Sequence, residues 1–163
     1  MQIRPMTTQD WVAVKAIYEE GILTGDATFE TQSPAWEQWN EAHLPHSRLV
    51  ALQQGQVCGW AALSAVSRRN VYKGVAEVSI YIAETARGKG IGKLLLQQLV
   101  EESEQYGIWT LQASIFAENK VSISLHQQFG FRVVGYREHI AKLHGNWRNT
   151  VILERRSTIT GIN

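Results

Sequence analysis

The sequence predicts a single α/β (α+β) domain spanning 1–163, with a mixed, mostly antiparallel sheet of about seven strands flanked by about four helices. Three observations lead there. A chain of 163 residues suits one domain with one core. Hydrophobic residues at 44% and charged residues at 19% are a globular composition. Period-2 and helical-period segments alternate along the chain, and the long strand–helix–strand connection between 75 and 116 implies a parallel pair.

Gln2 to Met6 reads as a short strand, and Thr7 to Asp10 fits the start of a helix. Trp11, Val14, Ile17, Tyr18 and Ile22 follow at helical spacing until Gly25. Asp26 to Ser33 is a loop, and Pro34 suits the first turn of a second helix carrying Trp36 and Trp39. Arg48 to Leu52 and Val57 to Ala65 are strands around a Gln54-Gly55 turn. A polar, basic loop, Ser67 to Gly74, leads into the strand Val75 to Ala83. Gly90 to Tyr106 is a helix with Ile91, Leu94, Leu95 and Leu99 on its apolar stripe. Trp109 to Phe116 is a strand, and Asn119 to Phe129 is a helix stopped by Gly130. Phe131 to Lys142 and Trp147 to Glu154 close the chain around His144-Gly145-Asn146.

A formal net charge of +1 gives no bulk attraction to nucleic acid or membrane. The lone cysteine, Cys58, permits no internal disulfide and reads as a buried, inert thiol of a reducing compartment. The N-terminus has no apolar core of a signal peptide, and no apolar run reaches membrane-spanning length. A cytoplasmic protein is therefore expected. His43 and His46 lack the companions of a metal site and read as solvated, so no metal is expected. No Gly-x-Ser-x-Gly elbow surrounds Ser122 or Ser124, which argues against a serine hydrolase.

The richest segment is the glycine turn Arg87-Gly88-Lys89-Gly90-Ile91-Gly92-Lys93, set between a strand and a helix. Glycines let backbone approach a ligand, and free N–H groups at a helix start favour phosphate. The spacing fits neither the dinucleotide fingerprint nor a Walker A loop. Arg87-x-x-Gly90-x-Gly92 after an apolar strand resembles the pyrophosphate loop of GNAT N-acetyltransferases. The resemblance implies acetyl-CoA as acetyl donor. Ser79, Ile80, Tyr81 and Ile82 would then line the pantetheine arm, and Arg87, Gly88, Lys89, Gly90, Ile91, Gly92 and Lys93 the diphosphate.

A second segment, Asn119 to Phe131, is similar to the same superfamily. Asn119, Ser122 and His126 fall at i, i+3 and i+7, on one helical face. By resemblance Asn119 and Ser122 meet pantetheine and phosphate groups. His126 stands where many members carry a tyrosine acid; it either protonates the leaving thiolate or sits at the helix surface as a spectator. Glu77 is the candidate base. Period 2 puts it on one face with Ser79 and Tyr81, and a half-buried strand position raises a carboxyl pKa. The alternative for Glu77 is a solvated sheet face.

Tyr72, Glu77, Ser79 to Ile82, Thr28-Phe29-Glu30-Thr31 and His144-Gly145-Asn146-Trp147 resemble the phosphinothricin and methionine sulfoximine acetyltransferase branch. That resemblance covers Ile3 to Glu154. It implies an amino-acid acceptor with a tetrahedral phosphorus or sulfur head. Tyr72, Glu77 and Val78 are carried over as substrate contacts. Arg68 or Arg69 would bind an anionic group of the substrate, and Phe29, Thr31 and Trp147 would wall the pocket, Trp147 from this subunit or a neighbouring one. The expected chemistry is direct transfer in a ternary complex. An Ile80-Tyr81 backbone amide would polarise the acetyl carbonyl. A homodimer is expected from the resemblance and the C-terminal strands. The alternatives are another amine acceptor (polyamine, aminoglycoside or protein N-terminus), an acyl-CoA-binding regulator without turnover, or a nucleotide-binding interaction domain.

Overall fold

The computed structural model describes residues 1–163. The strands are β1 (Gln2–Pro5), β2 (Leu49–Gln53), β3 (Gln56–Ala65), β4 (Val75–Ile82), β5 (Thr110–Phe116), β6 (Arg132–Leu143) and β7 (Asn146–Arg156). The helices are α1 (Trp11–Leu23), α2 (Trp36–Ala42), α3 (Ile91–Gln105) and α4 (Lys120–Gln127). One seven-stranded sheet runs β1-β2-β3-β4-β5-β7-β6. All neighbours are antiparallel except β4 and β5, as the strand–α3–strand connection requires.

Two apolar layers sandwich the sheet. On one face Leu95, Leu96 and Leu99 of α3 pack on Ala61, Leu63, Leu111 and Leu153. On the other, Val14 and Ile17 of α1 and Trp39 of α2 pack on Val50, Trp60 and Ala62. The α3 stripe differs from the expectation at one position. Leu94 is 43% exposed and Leu96 is fully buried, because the buried face also takes in Val100 and Ser103, which moves its centre to the side of Leu96 and leaves Leu94 at the far edge.

Local chemistry fixes the element ends. Asp10 accepts from the Thr7 N–H at 2.7 Å and from Arg4 at 2.8 and 2.9 Å, which ties β1 to the start of α1. A short 3-10 turn, Thr8–Asp10, precedes α1 proper. Pro34 lies outside α2, whose N-cap is Ala35. His144 and Gly145 both adopt positive φ, 48° and 80°, as a two-residue hairpin turn requires. His43 and His46 are not solvated: His43 stacks on Trp39 at 4.1 Å and His46 on Tyr106 at 4.2 Å. Cys58 is buried, donates to the Ala51 carbonyl, and burial pushes its thiol pKa up.

Candidate active site

β4 and β5 share only the pairs Val75–Thr110, Ala76–Leu111 and Glu77–Gln112. Beyond Glu77 the two strands part. The remainder of β4 keeps its partner β3, through to Ile82 opposite Gly59, and leaves its other edge unpaired. Val78, Ser79, Ile80 and Tyr81 on one side, and Ala113 to Phe116 on the other, line the resulting cleft of about 440 Å³. An unpaired strand edge of this kind accepts an extended, amide-bearing chain as an added strand.

Glu77 stands at the point of divergence, half-buried, and lines the cleft. Burial raises its carboxyl pKa, and the charge of Arg137 pulls it partly back. It does not occupy a solvated sheet face. Asn119 caps α4 by accepting from the Ser122 N–H at 3.2 Å, and its amide reaches the Asp26 carbonyl. Asn119, Ser122 and His126 all line the cleft.

His126 is 2% exposed and therefore not a surface residue. Its Nδ1 lies 2.7 Å from the Ser122 carbonyl oxygen, which only accepts, so Nδ1 carries the hydrogen. Nε2 is buried without a partner. Burial lowers the imidazole pKa, so the neutral ring presents a lone pair at Nε2.

The glycine turn sits beyond the cleft, at the start of α3. Gly88 and Gly90 have φ of 75° and 78°, a region that only glycine enters freely, and Gly90 is the α3 N-cap. A Cβ at either would meet open space, so the backbone conformation, not crowding, requires glycine there. The N–H groups from Gly88 to Lys93 donate to no other backbone group. Lys89 folds back to the Thr85 carbonyl and Arg87 to that of Ile82. This cradle of free amides at a helix start fits a diphosphate, and together with the open β4 edge it fits the whole of a CoA thioester.

Of the other expected residues, Phe29 lines the cleft, its ring edge-on to Phe116 at 4.8 Å. Ile82 adjoins the cleft lining without joining it. Thr31, Arg68, Arg69, Tyr72 and Trp147 stand outside the cleft. Arg69 lies over the exposed Tyr72 ring at 5.6 Å. Trp147 is 54% exposed and packs against Lys142. Three residues were not anticipated. Arg148 covers Phe116 at 4.1 Å, donates to the Gly25 carbonyl at 2.6 Å and pairs with Asp26 at 2.9 Å, pinning the loop that carries Phe29. Thr150 lines the cleft with its hydroxyl buried and unpartnered. Arg137, on β6, has no hydrogen bond or ion pair with Glu77 and acts on that carboxyl through its charge alone. All three come from the C-terminal hairpin, more than 30 residues beyond the strands they serve, and no local spacing signals them.

Residues 11–131 match the family model described as "Acetyltransferase (GNAT) family". The chain belongs to the GNAT acetyltransferase family. An L-methionine sulfoximine/L-methionine sulfone acetyltransferase of Pseudomonas aeruginosa is 31% identical over 93% of this chain and 92% of its own length. A GNAT phosphinothricin acetyltransferase of Sinorhizobium meliloti, solved with AcCoA, superposes with a TM-score of 0.90 at 31% identity, covering 99% of this chain and 91% of that one. A ribosomal-protein-alanine N-acetyltransferase of Brucella melitensis superposes at 0.89, also 31% identical, covering 96% and 100%. As a GNAT acetyltransferase, the chain has the fold expected of the glycine turn and of the Asn119 segment, and no helix is long and apolar enough to cross a membrane.

Proposed function

We propose that this GNAT acetyltransferase uses acetyl-CoA to acetylate the primary amine of a small amino acid such as methionine sulfoximine, methionine sulfone or phosphinothricin, by direct transfer in a ternary complex. The observation that carries the reading is the cleft where β4 leaves β5, with Glu77 at the point of divergence and a cradle of free amides beyond the end of β4, at the start of α3. The thioester supplies an activated acetyl group. Ser79 to Ile82 offer backbone partners to the pantetheine arm, residues 87–93 and Asn119 with Ser122 hold its polar parts, and an N–H of the Ile80-Tyr81 stretch polarises the acetyl oxygen. Glu77, directly or through a water, takes a proton from the ammonium so that the amine can attack. His126 enters neutral. It accepts the second amine proton at Nε2 and returns it to the leaving sulfur, which makes it an acid only after it has been a base.

The packing of Phe29 on Phe116 favours a small acceptor over a peptide. Thr31, Arg68, Arg69, Tyr72 and Trp147 stand outside the cleft, and no step of this reading rests on them. The protein acts as a cytoplasmic homodimer with neither nucleic acid nor membrane as partner. Unpaired Cys58 supports the reducing compartment, and the near-neutral net charge of +1 supports the lack of polyanionic partners. Exposed Val133, Val134, Tyr136 and Ile140 along the edge strand β6 support self-association.

The test is thiol release from acetyl-CoA against methionine sulfoximine, methionine sulfone, phosphinothricin, common amino acids, polyamines and an alanine-starting peptide. Turnover of the tetrahedral-headed amino acids is expected. Turnover of the peptide alone would shift the acceptor to protein N-termini, and no turnover despite CoA binding would leave a regulator.

A further inference from the structure

The cleft lining contains the carboxylates Asp26, Glu30 and Glu77 and not one arginine or lysine. That suits the ammonium of an amino acid and repels its carboxylate, so a zwitterionic acceptor needs a cation at the cleft's rim. Arg148 is committed elsewhere, to Gly25, Asp26 and Glu118. Arg69 lies on Tyr72.

The strand registers single out another residue. Glu77 lies opposite Gln112, and Gln112, Ser114 and Phe116 alternate onto one face of β5. Phe116 lies opposite Thr150 on β7, and Thr150 opposite Arg137 on β6. Directly opposed residues share a face. Phe116, Thr150 and Arg137 therefore form a row across three strands, on the sheet face that bears Glu77. Arg137 makes no hydrogen bond or ion pair with any protein group, and the Thr150 hydroxyl in the middle of the row is buried and unpartnered. Of the molecule's cations, Arg137 is the one whose charge is felt at the Glu77 carboxyl.

We propose that Arg137, with the Thr150 hydroxyl beside it, recognises the carboxylate of the acceptor and so makes the enzyme select amines that carry an anionic group over neutral ones. A guanidinium fork offers a carboxylate two parallel hydrogen bonds, and the hydroxyl adds a third donor. The ammonium and the carboxylate of the acceptor share one carbon, so the acceptor sits between the two side chains, its ammonium toward Glu77 and its carboxylate toward Arg137. Arg137 is a specificity residue and takes no part in proton transfer. The inference deepens the function proposed above and rests on the acceptor being an amino acid.

The experiment compares L-methionine sulfone with its carboxamide, by calorimetry on protein saturated with CoA and by turnover with acetyl-CoA. Wild type is expected to bind the acid at least tenfold more tightly, roughly the worth of a hydrogen-bonded charge pair. Arg137→Gln should weaken the acid by about 10- to 100-fold, leave the carboxamide and CoA affinities in place, and raise KM with kcat within about twofold. Arg137→Lys should restore part of the preference. Equal binding of acid and carboxamide by wild type, binding of neither, equal weakening of both by Arg137→Gln, or an intact preference in that variant would each overturn the proposal. The two readings fail separately. Wild-type protein that binds the acid through Arg137 yet acetylates no amine keeps the specificity residue and loses the proposed function. Protein that acetylates amines without regard to the carboxylate does the reverse.

Discussion

At the scale of single residues, Glu77 and His126 have their pKa values moved in opposite directions by the same cause, burial, and both changes favour the neutral form. For Glu77 the folded pKa lies above the ordinary 4.5, so kcat/KM should rise with pH through an acid limb above that value. Arg137 opposes this rise, and Arg137→Gln should shift the limb to still higher pH. Glu77→Gln should cost about 10²- to 10⁴-fold in kcat, the span of general base catalysis, with CoA affinity retained. The strand face that carries Glu77 was legible from alternation, because a period of 2 fixes the face once the strand is known, whereas its burial was not. Nor was the hydrogen-bonding of His126. Helical spacing gave its direction, but only the 2.7 Å contact with the Ser122 carbonyl determines which ring nitrogen faces the cleft.

At the scale of elements, the glycine turn and the α1 entrance make separate demands. Gly90→Ala forces a side chain into the left-handed region at the α3 N-cap, which costs about 1 kcal/mol, and the displaced amides should weaken CoA binding more than they weaken the fold. Titration calorimetry against CoA, alongside thermal melting, separates the two effects. The Asp10 carboxyl, held down to about 2 by Arg4 and the Thr7 N–H, is ionised in the native state well below its ordinary 3.8. Its stabilising contribution is complete above that ordinary value and disappears as pH falls toward about 2. Asp10→Ala should lower stability by about 2 kcal/mol in urea at neutral pH, and by much less near pH 2. The order and type of the strands and helices were legible because turn residues punctuate clean periodic runs, as at Gln54-Gly55 and His144-Gly145. The irregularities of β6 were not. Its register shifts near Val133 and near Arg137 depend on cross-strand partners that no local pattern encodes.

At the scale of the whole molecule, the cleft draws on both ends of the chain, and this explains which part of it was hidden. Thr28 and Phe29, Ser122 and His126 lie in segments that carry visible motifs; Thr150, which lines the cleft, and Arg148, which packs on its wall at Phe116, come from the closing hairpin and are brought there by β7 pairing with β5. The exposed apolar side chains of β6 predict an assembly property. Tyr136 lies opposite Val151, on the face away from Arg137, and in the homodimer proposed above Tyr136→Lys should weaken self-association, read as a fall in sedimentation coefficient. In the core, Leu99→Ala should cost about 2–5 kcal/mol in unfolding free energy, as a large-to-small change at a fully buried site does.

The parting of β4 from β5 makes the sheet two half-sheets stitched by the pairs at residues 75–77. The outward backbone amides of Val78 to Ile82 have no ladder of their own and should exchange with deuterium quickly in the empty protein. A bound pantetheine chain would supply the missing ladder. CoA should therefore slow exchange at this short stretch far more than elsewhere, and raise the melting temperature in proportion to the logarithm of its concentration. The ligand would then be, in effect, the last strand to fold.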